Sequence, residues 1–147
     1  MLEHRVRYLI PLAAVFLLLL GGCAKSVQQV NLNQEFTLSP GQAADIAGEN
    51  LNIKFVEVIT DSRCPSGATC VWAGEASCLV EITKTGDASS PYKLVLTEPG
   101  LTQEPLRQTF DGHELSFSIE PYPIVGQAIS PSDYRLVMTV SLATPIQ

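Results

Sequence analysis

The chain has 147 residues, and its 9 Lys and Arg against 15 Asp and Glu give a formal net charge of −6 at pH 7. This length suits one domain with a core of its own. The acidic surplus argues against a nucleic-acid partner, whose phosphates need a basic surface, and against attachment to anionic lipid by charge alone.

The first 22 residues are typical of an export signal. Arg5 and Arg7 precede the apolar run LIPLAAVFLLLL, and the small residues Gly21 and Gly22 follow it. A basic start, a short apolar segment and small residues at a cut point are the parts of a secretory signal. The run has 12 residues, whereas a helix needs about 20 to cross a bilayer core. We expect residues 1–22 to be a removable signal peptide.

The end of that segment, LGGC at Leu20 to Cys23, resembles the lipobox of bacterial lipoproteins. The resemblance implies diacylation of the Cys23 sulfur, cleavage before Cys23 and acylation of the new amino group. The alternative is an ordinary secretory signal with an incidental cysteine. Two or more acyl chains anchor a protein stably, since each buried CH₂ contributes about 0.8 kcal/mol. We therefore expect the membrane to be contacted through the lipid on Cys23.

The residue after the cysteine bears on localisation. By the enterobacterial sorting rule, Ala24 in place of Asp implies the periplasmic face of the outer membrane in a Gram-negative source. In a Gram-positive source, the outer face of the cell membrane is expected.

Cleavage would leave 7 basic and 14 acidic residues, a mature charge of −7. The segment KSVQQVNLNQ, residues 25–34, is polar and has no clear strand or helix period. We interpret residues 23–34 as a lipidated N-terminus and tether of about 15–20 Å reach. Residues 35–147 are expected to form a single domain.

In that domain apolar residues alternate with polar ones, and turn residues recur every ten or so positions. HELSFSIE places Leu115, Phe117 and Ile119 on one face. LNIKFVEVIT changes its apolar face after Phe55, which predicts a β-bulge. Short strands of this pattern predict an all-β fold, an antiparallel sandwich of immunoglobulin or fibronectin type with about seven to nine strands.

Two local signals support the sandwich. Asp111-Gly112 predicts a hairpin with a type I′ turn, since both positions need positive φ. The segment ISPSDYRLVMTV resembles the tyrosine corner of such sandwiches. This resemblance implies that Tyr134 is structural and bonds to an earlier backbone group.

The segment DSRCPSGATCVWAGEA contains Cys64 and Cys70. Neighbouring cysteines of an exported protein usually pair, so a Cys64–Cys70 disulfide is expected. Closure of this short loop would stabilise the fold by about 2 kcal/mol. Trp72 is expected to pack against it. Cys78 lies at an inward strand position and is expected to be a buried free thiol; a disulfide swap involving Cys78 is the alternative.

Metal and redox sites are weaker interpretations of these residues. A zinc site could recruit only Cys64, Cys70, Cys78 and His113, without paired ligand spacing. A redox centre usually has C-x-x-C at the start of a helix. No metal and no cofactor are therefore expected.

The same segment resembles a motif of small bacterial secreted proteins and lipoproteins. In these proteins an apolar strand leads into Asp-Ser-Arg-Cys-Pro, and Cys-x-Trp-x-Gly opens the next strand. The resemblance implies a fold and carries no activity.

Titratable residues suggest little chemistry. Asp61 and Arg63 form either a recognition patch or a structural pair, with Arg63 bonded to Asp61 or Glu75. Asp111, His113 and Ser116 include the residue types of a hydrolase triad. They lie within six residues without a nucleophile elbow, and His113 and Ser116 point to opposite strand faces. We expect no enzyme.

The loop IEPYPIVGQAISPSD is Pro-rich and apolar, and either protects sheet edges or binds a partner. The candidate binding surface comprises Asp61, Arg63, Trp72, Tyr122 and Ile124. The expected function is non-catalytic: binding an envelope protein or serving as an accessory subunit. A protease-inhibitor or carbohydrate-binding module is the alternative, and a metal or redox protein a third. FTLSPGQAADI resembles the first strand of chagasin-like protease inhibitors, whose inhibitory loop motifs are not found.

Overall fold

A computed structural model of the chain describes residues 27–86, 90–101 and 104–144. The signal segment, Cys23 and Ala24 lie outside these residues, and the expectations for them remain predictions. The described residues contain a 3-10 turn at Pro131–Asp133 and nine strands. The strands are β1 Gln28–Val30, β2 Glu35–Leu38, β3 Ala43–Ile46, β4 Leu51–Asp61, β5 Glu75–Lys84, β6 Tyr92–Pro99, β7 Leu106–Phe110, β8 His113–Glu120 and β9 Arg135–Leu142. No helix within these ranges is long and apolar enough to span a membrane.

The strands form two sheets, which confirms the predicted all-β sandwich. One sheet has the order β1-β3-β4-β5-β6 and the other the order β2-β9-β8-β7. All neighbouring pairs are antiparallel except β1 and β3, which are parallel. This pair departs from the wholly antiparallel expectation.

The core lies between the sheets and is built from alternate residues of their strands. Leu115, Phe117 and Ile119 of β8 are buried as predicted, and they face buried residues of β4 and β5 such as Phe55 and Val80. Because the period of a strand is two, each strand contributes one apolar face and leaves the other to solvent.

Two predicted backbone features are confirmed. The register between β4 and β5 shifts between Phe55 and Glu57, where the bulge was expected, and shifts again between Val58 and Thr60. Asp111 and Gly112 both have positive φ, 47° and 76°, and connect the paired strands β7 and β8.

The tether interpretation is wrong over its second half. Gln28–Val30 pairs with β3, and the Val30 side chain is buried in the core. The strand was not predicted from KSVQQVNLNQ because a three-residue edge strand needs only one inward apolar residue, which is too short a pattern to show a period. The sandwich therefore begins at Gln28 rather than at Glu35.

Candidate functional site: three loops over a buried arginine

Three loops meet at one end of the sandwich. They connect β4 to β5, β6 to β7 and β8 to β9. The first two are joined where the Gly100 N–H donates to the carbonyl of Gly74, 2.8 Å away. The first and third are joined by an isolated parallel bridge between Ser66 and Ile124. The chain thus brings together segments that are more than 50 residues apart in sequence.

Arg63 lies beneath these loops, with its side chain fully buried. Its Nη2 is 2.7 Å from Asp61 Oδ2 and its Nε 2.9 Å from Asp61 Oδ1, a bidentate pair. Its Nη1 is 3.4 Å from Glu98 Oε2 and donates to the carbonyl of Ile119 at 2.6 Å. Nη2 also donates to the Pro121 carbonyl. The planar guanidinium, with five donors, suits this central position. We call Arg63, Asp61 and Glu98 together the hub.

The charges of this hub alter one another's proton affinity. Burial alone would raise the pKa of Asp61, but the hydrogen bonds and charge of Arg63 outweigh it and hold that pKa below its ordinary value. Burial raises the pKa of Glu98 above its ordinary value, although the Ile119 N–H and Arg63 oppose the shift. Burial lowers the pKa of Arg63, but the hydrogen bond and the charge of Asp61 raise it, and the net effect is an increase. The hub holds one cation between two carboxylates.

Tyr122 connects the hub to the loops above it. Its ring lies over the Arg63 guanidinium, 5.0 Å from Cζ to the ring centroid, which is the geometry of a cation–π contact. Its hydroxyl donates to the Cys64 carbonyl at 3.0 Å and accepts from the Leu101 N–H at 3.2 Å. One side chain of the β8–β9 loop therefore fixes the positions of both other loops.

The predicted disulfide between Cys64 and Cys70 is present. Its loop leads to Gly74, whose φ is +69° and where an added Cβ would lie 1.9 Å from the Ser62 carbonyl oxygen. Only glycine permits this approach of the two ends of the loop. The backbone geometry therefore explains why the Cys-x-Trp-x-Gly motif has glycine at this position.

Five apolar side chains project from the loops into solvent, and we call this set the loop surface: Val71, Trp72, Leu101, Ile124 and Val125. Trp72 is 79% exposed and Leu101 70%. The flanking segments CPSGATCVWAG and PYPIVGQAIS contain no charged residue, although the chain carries 24 of them. In the β6–β7 loop, Glu104 is exposed three residues after Leu101. Exposed apolar residues are normal when scattered, but clustered ones mark an interaction site.

The predicted binding residues divide into two layers. Asp61 and Arg63 form a buried pair, which is the structural one of the two interpretations that the sequence left open, and they are not an exposed recognition patch. Trp72 is largely exposed rather than buried in the core beside the disulfide, which corrects that expectation. Ile124 lies on the loop surface, and Tyr122 is half-buried below it.

The hydrogen-bond partners agree with one expectation and correct another. Of the two alternative partners expected for Arg63, Asp61 and Glu75, the structure shows Asp61, and Glu98 is a further carboxylate that was not expected. The Tyr134 hydroxyl donates to Asp61 Oδ2 at 3.2 Å. It therefore bonds a side chain, and the tyrosine-corner interpretation, which needs a backbone partner, is wrong.

Sequence reasoning missed Glu98 and Leu101. Glu98 continues the inward positions Leu94 and Leu96 of β6, so the alternation itself placed a carboxylate in the core. A buried carboxylate needs a cation or several hydrogen-bond donors. The inward position of Glu98 in the alternation could therefore have predicted a buried charged pair. Leu101 follows a turn and carried no comparable signal.

The residues of the triad type, Asp111, His113 and Ser116, do not converge in the structure. His113 is buried, with Nε2 3.0 Å from Glu49 Oε2 and Nδ1 3.0 Å from the Asp111 carbonyl oxygen. Ser116 lies on the opposite strand face, as predicted. Within the described ranges no group of three or more His, Cys, Asp and Glu is arranged to hold a metal ion. Cys78 is free and buried as predicted, and burial raises its pKa to about 12.

An open groove of about 540 Å³ lies beside the hub, lined by residues that include Pro40, Val58, Pro131 and Tyr134. Glu57 is the one charged residue in its lining. Ligand pockets of this size usually carry several convergent polar groups, and the Tyr134 hydroxyl is already bonded to Asp61. The loop surface is therefore the stronger candidate site.

No family model, no curated protein and no solved structure matches the chain. The sandwich and its loop surface are the basis for the function proposed below.

Proposed function

We propose that this chain is a non-catalytic lipoprotein of the cell envelope, anchored through lipid on Cys23, which binds another envelope protein or serves as its accessory subunit. The observation that carries the proposal is the loop surface, an uncharged set of exposed apolar side chains on three connected loops. The centres of protein interfaces are depleted in charged residues and enriched in aromatic ones. This composition supports a protein partner.

The support beneath the loops strengthens the proposal. Tyr122, Arg63 and the disulfide link the loops to strand ends. A surface that is already ordered loses less conformational entropy when it binds, so more of its contact energy appears as affinity. Tryptophan in a central position is also a frequent energetic hot spot of interfaces.

The hub supports a non-catalytic interpretation of the same site. Arg63, Asp61 and Glu98 bond to one another and to backbone carbonyl and amide groups. Throughout the described ranges every buried side-chain nitrogen and oxygen has a hydrogen-bond partner. A catalytic group must instead reach a substrate with its functional atoms.

The test is site-specific crosslinking in the source cell. A photoreactive amino acid at Trp72 should give one reproducible protein adduct, and the same group at Leu142 should not, because Leu142 is 60% exposed at the opposite end. Intact mass of the membrane-extracted chain must show acylated Cys23. Equal adducts from both positions, or an unlipidated chain, would contradict the proposal.

A carbohydrate-binding or protease-inhibitor module is the second candidate. The exposed Trp72 on a disulfide-closed loop favours it, since rings stack on sugars and rigid loops suit protease clefts. Glycan and protease panels, each with Trp72→Ala as the control variant, would detect either activity. Binding that persists in the variant would not support this candidate.

A further inference from the structure

The direction of the N-terminal strand determines which end of the sandwich faces the anchor. Strand β4 runs toward the loop surface, and β3 is antiparallel to it. Because β1 is parallel to β3, it runs away from the loop surface. The amino end of β1, at Gln28, therefore faces the loop end of the sandwich. A chain that continues the direction of β1 would carry a lipid on Cys23 to that side of the molecule.

The length of the connection limits how far the loops can be from the membrane. Cys23 precedes Gln28 by five residues, which span at most about 17 Å. Across the sheet, Gln28 of β1 pairs with Ala44 of β3, and Ala44 pairs with Ile53 of β4. Ile53 in turn pairs with Ile82 of β5, so Gln28 and Ile82 lie at the same height in the sheet. From there β5 needs six residues to reach Ala76 at the strand end, about 20 Å. A fully extended connection thus reaches only the base of the loops.

The charges near the loops argue against lipid as the occupant. Interfacial lipid-binding segments are usually rich in exposed Lys and Arg, whereas the only basic residue of the three loops is Arg63, which is buried and paired. The exposed charges at the adjacent strand ends include Glu75 and Glu120. Arg135 is directed to the carbonyl groups of Ser132 and Tyr134. Carboxylates that outnumber the nearby cation, as these outnumber Arg135, repel anionic headgroups.

We infer that the loop surface faces the bilayer that holds the Cys23 lipid, and that its partner is a membrane-embedded protein presenting an uncharged apolar segment at headgroup level. The inference rests on the proposed function, because it requires the anchor and a protein partner. It adds the orientation of the sandwich and the chemical class of that partner.

The single tryptophan makes the orientation measurable. The lipidated protein is reconstituted into phosphatidylethanolamine and phosphatidylglycerol vesicles with quenchers either in the headgroups or deep in the acyl chains. We expect headgroup quenchers to reduce Trp72 fluorescence at least twofold and acyl-chain quenchers to have little effect. The control is Leu142→Trp in a Trp72→Phe background, at the far end of β9, which should remain unquenched.

Each result decides part of the inference. Equal quenching at the two positions overturns the orientation. Strong acyl-chain quenching of Trp72 makes the lipid the occupant and overturns the protein partner. Crosslinks from Val71 in cells must lead to a protein with membrane-spanning segments, and a soluble partner also overturns the inference. Failure of the anchor itself is separate, since an unlipidated chain would not float with vesicles.

Discussion

Arg63 and Asp61 form a bidentate ion pair, two residues apart, at the point where β4 ends and the disulfide loop begins. The same guanidinium also reaches the Ile119 carbonyl of the other sheet and the Pro121 carbonyl at the start of the β8–β9 loop. One local pair therefore connects the two sheets beneath the loop surface.

Removal of this arginine should destabilise the fold strongly. Arg63→Met leaves Asp61 and Glu98 without their cation, and unpairing a buried charge costs about 3–5 kcal/mol. Urea denaturation measures the loss. The matched control is Arg107→Met, because Arg107 pairs with Glu114 on the surface and such pairs contribute at most about 1 kcal/mol.

A variant that does not fold can still be informative. Adding Asp61→Asn to Arg63→Met removes one of the two orphaned charges, and the double variant should recover part of the lost stability. If the two substitutions were simply additive, the ion pair would not carry the energy assigned to it.

Glu98 should make the stability depend on pH. Its pKa is raised in the folded state, so the folded protein binds this proton more tightly than the unfolded chain. The ionised form costs stability, and the cost disappears as pH falls through the folded pKa. The free energy of unfolding of the native chain relative to that of Glu98→Gln should therefore increase as pH falls from 7 toward 4.5, the ordinary value for this carboxyl. A constant difference would contradict this assignment.

Asp61 should act in the opposite direction at lower pH. Its pKa is lowered from 3.8, so its contribution is present above that value and is lost as pH falls through the folded pKa. Asp61→Asn should remove this acid-dependent loss, measured as unfolding between pH 4 and pH 2. The Glu98→Gln variant should retain the loss and serves as the control.

Gly74→Ala should be more damaging than an alanine at another glycine of positive φ. Gly86 has a φ of +89° and no atom within 4 Å of the point where a Cβ would lie, whereas Gly74 faces the Ser62 carbonyl. Gly86→Ala should cost about 1–2 kcal/mol from its backbone conformation alone. Gly74→Ala carries the clash in addition, and thermal unfolding should show a clearly larger fall in Tm. Similar losses would argue against a close approach at Gly74.

The cysteines predict a pattern of alkylation. Cys78 is buried with its pKa raised to about 12, so little of it is the reactive thiolate. Iodoacetamide should not modify the native protein. It should modify one thiol in denaturant and three after reduction, because Cys64 and Cys70 are paired. Three reactive thiols before reduction would exclude the disulfide.

The sequence alone determined the features that depend on neighbouring residues. Alternation placed Leu115, Phe117 and Ile119 in the core, because the two-residue period of a strand is local. The Asp111-Gly112 turn follows from backbone sterics within four residues. The Cys64–Cys70 pair follows from a short spacing that brings both thiols within reach.

Only the tertiary structure decided which distant groups meet. Glu98 is 35 residues from Arg63, and Ile119 is 56 residues away, so no local pattern could pair them. Trp72 was expected to pack against the disulfide and lies largely in solvent, and no local pattern distinguishes these two positions. The loop surface likewise exists only because three chain segments end together. Burial, charge compensation and the meeting of loops are properties of the packed sandwich, whereas periodicity and turns belong to the chain.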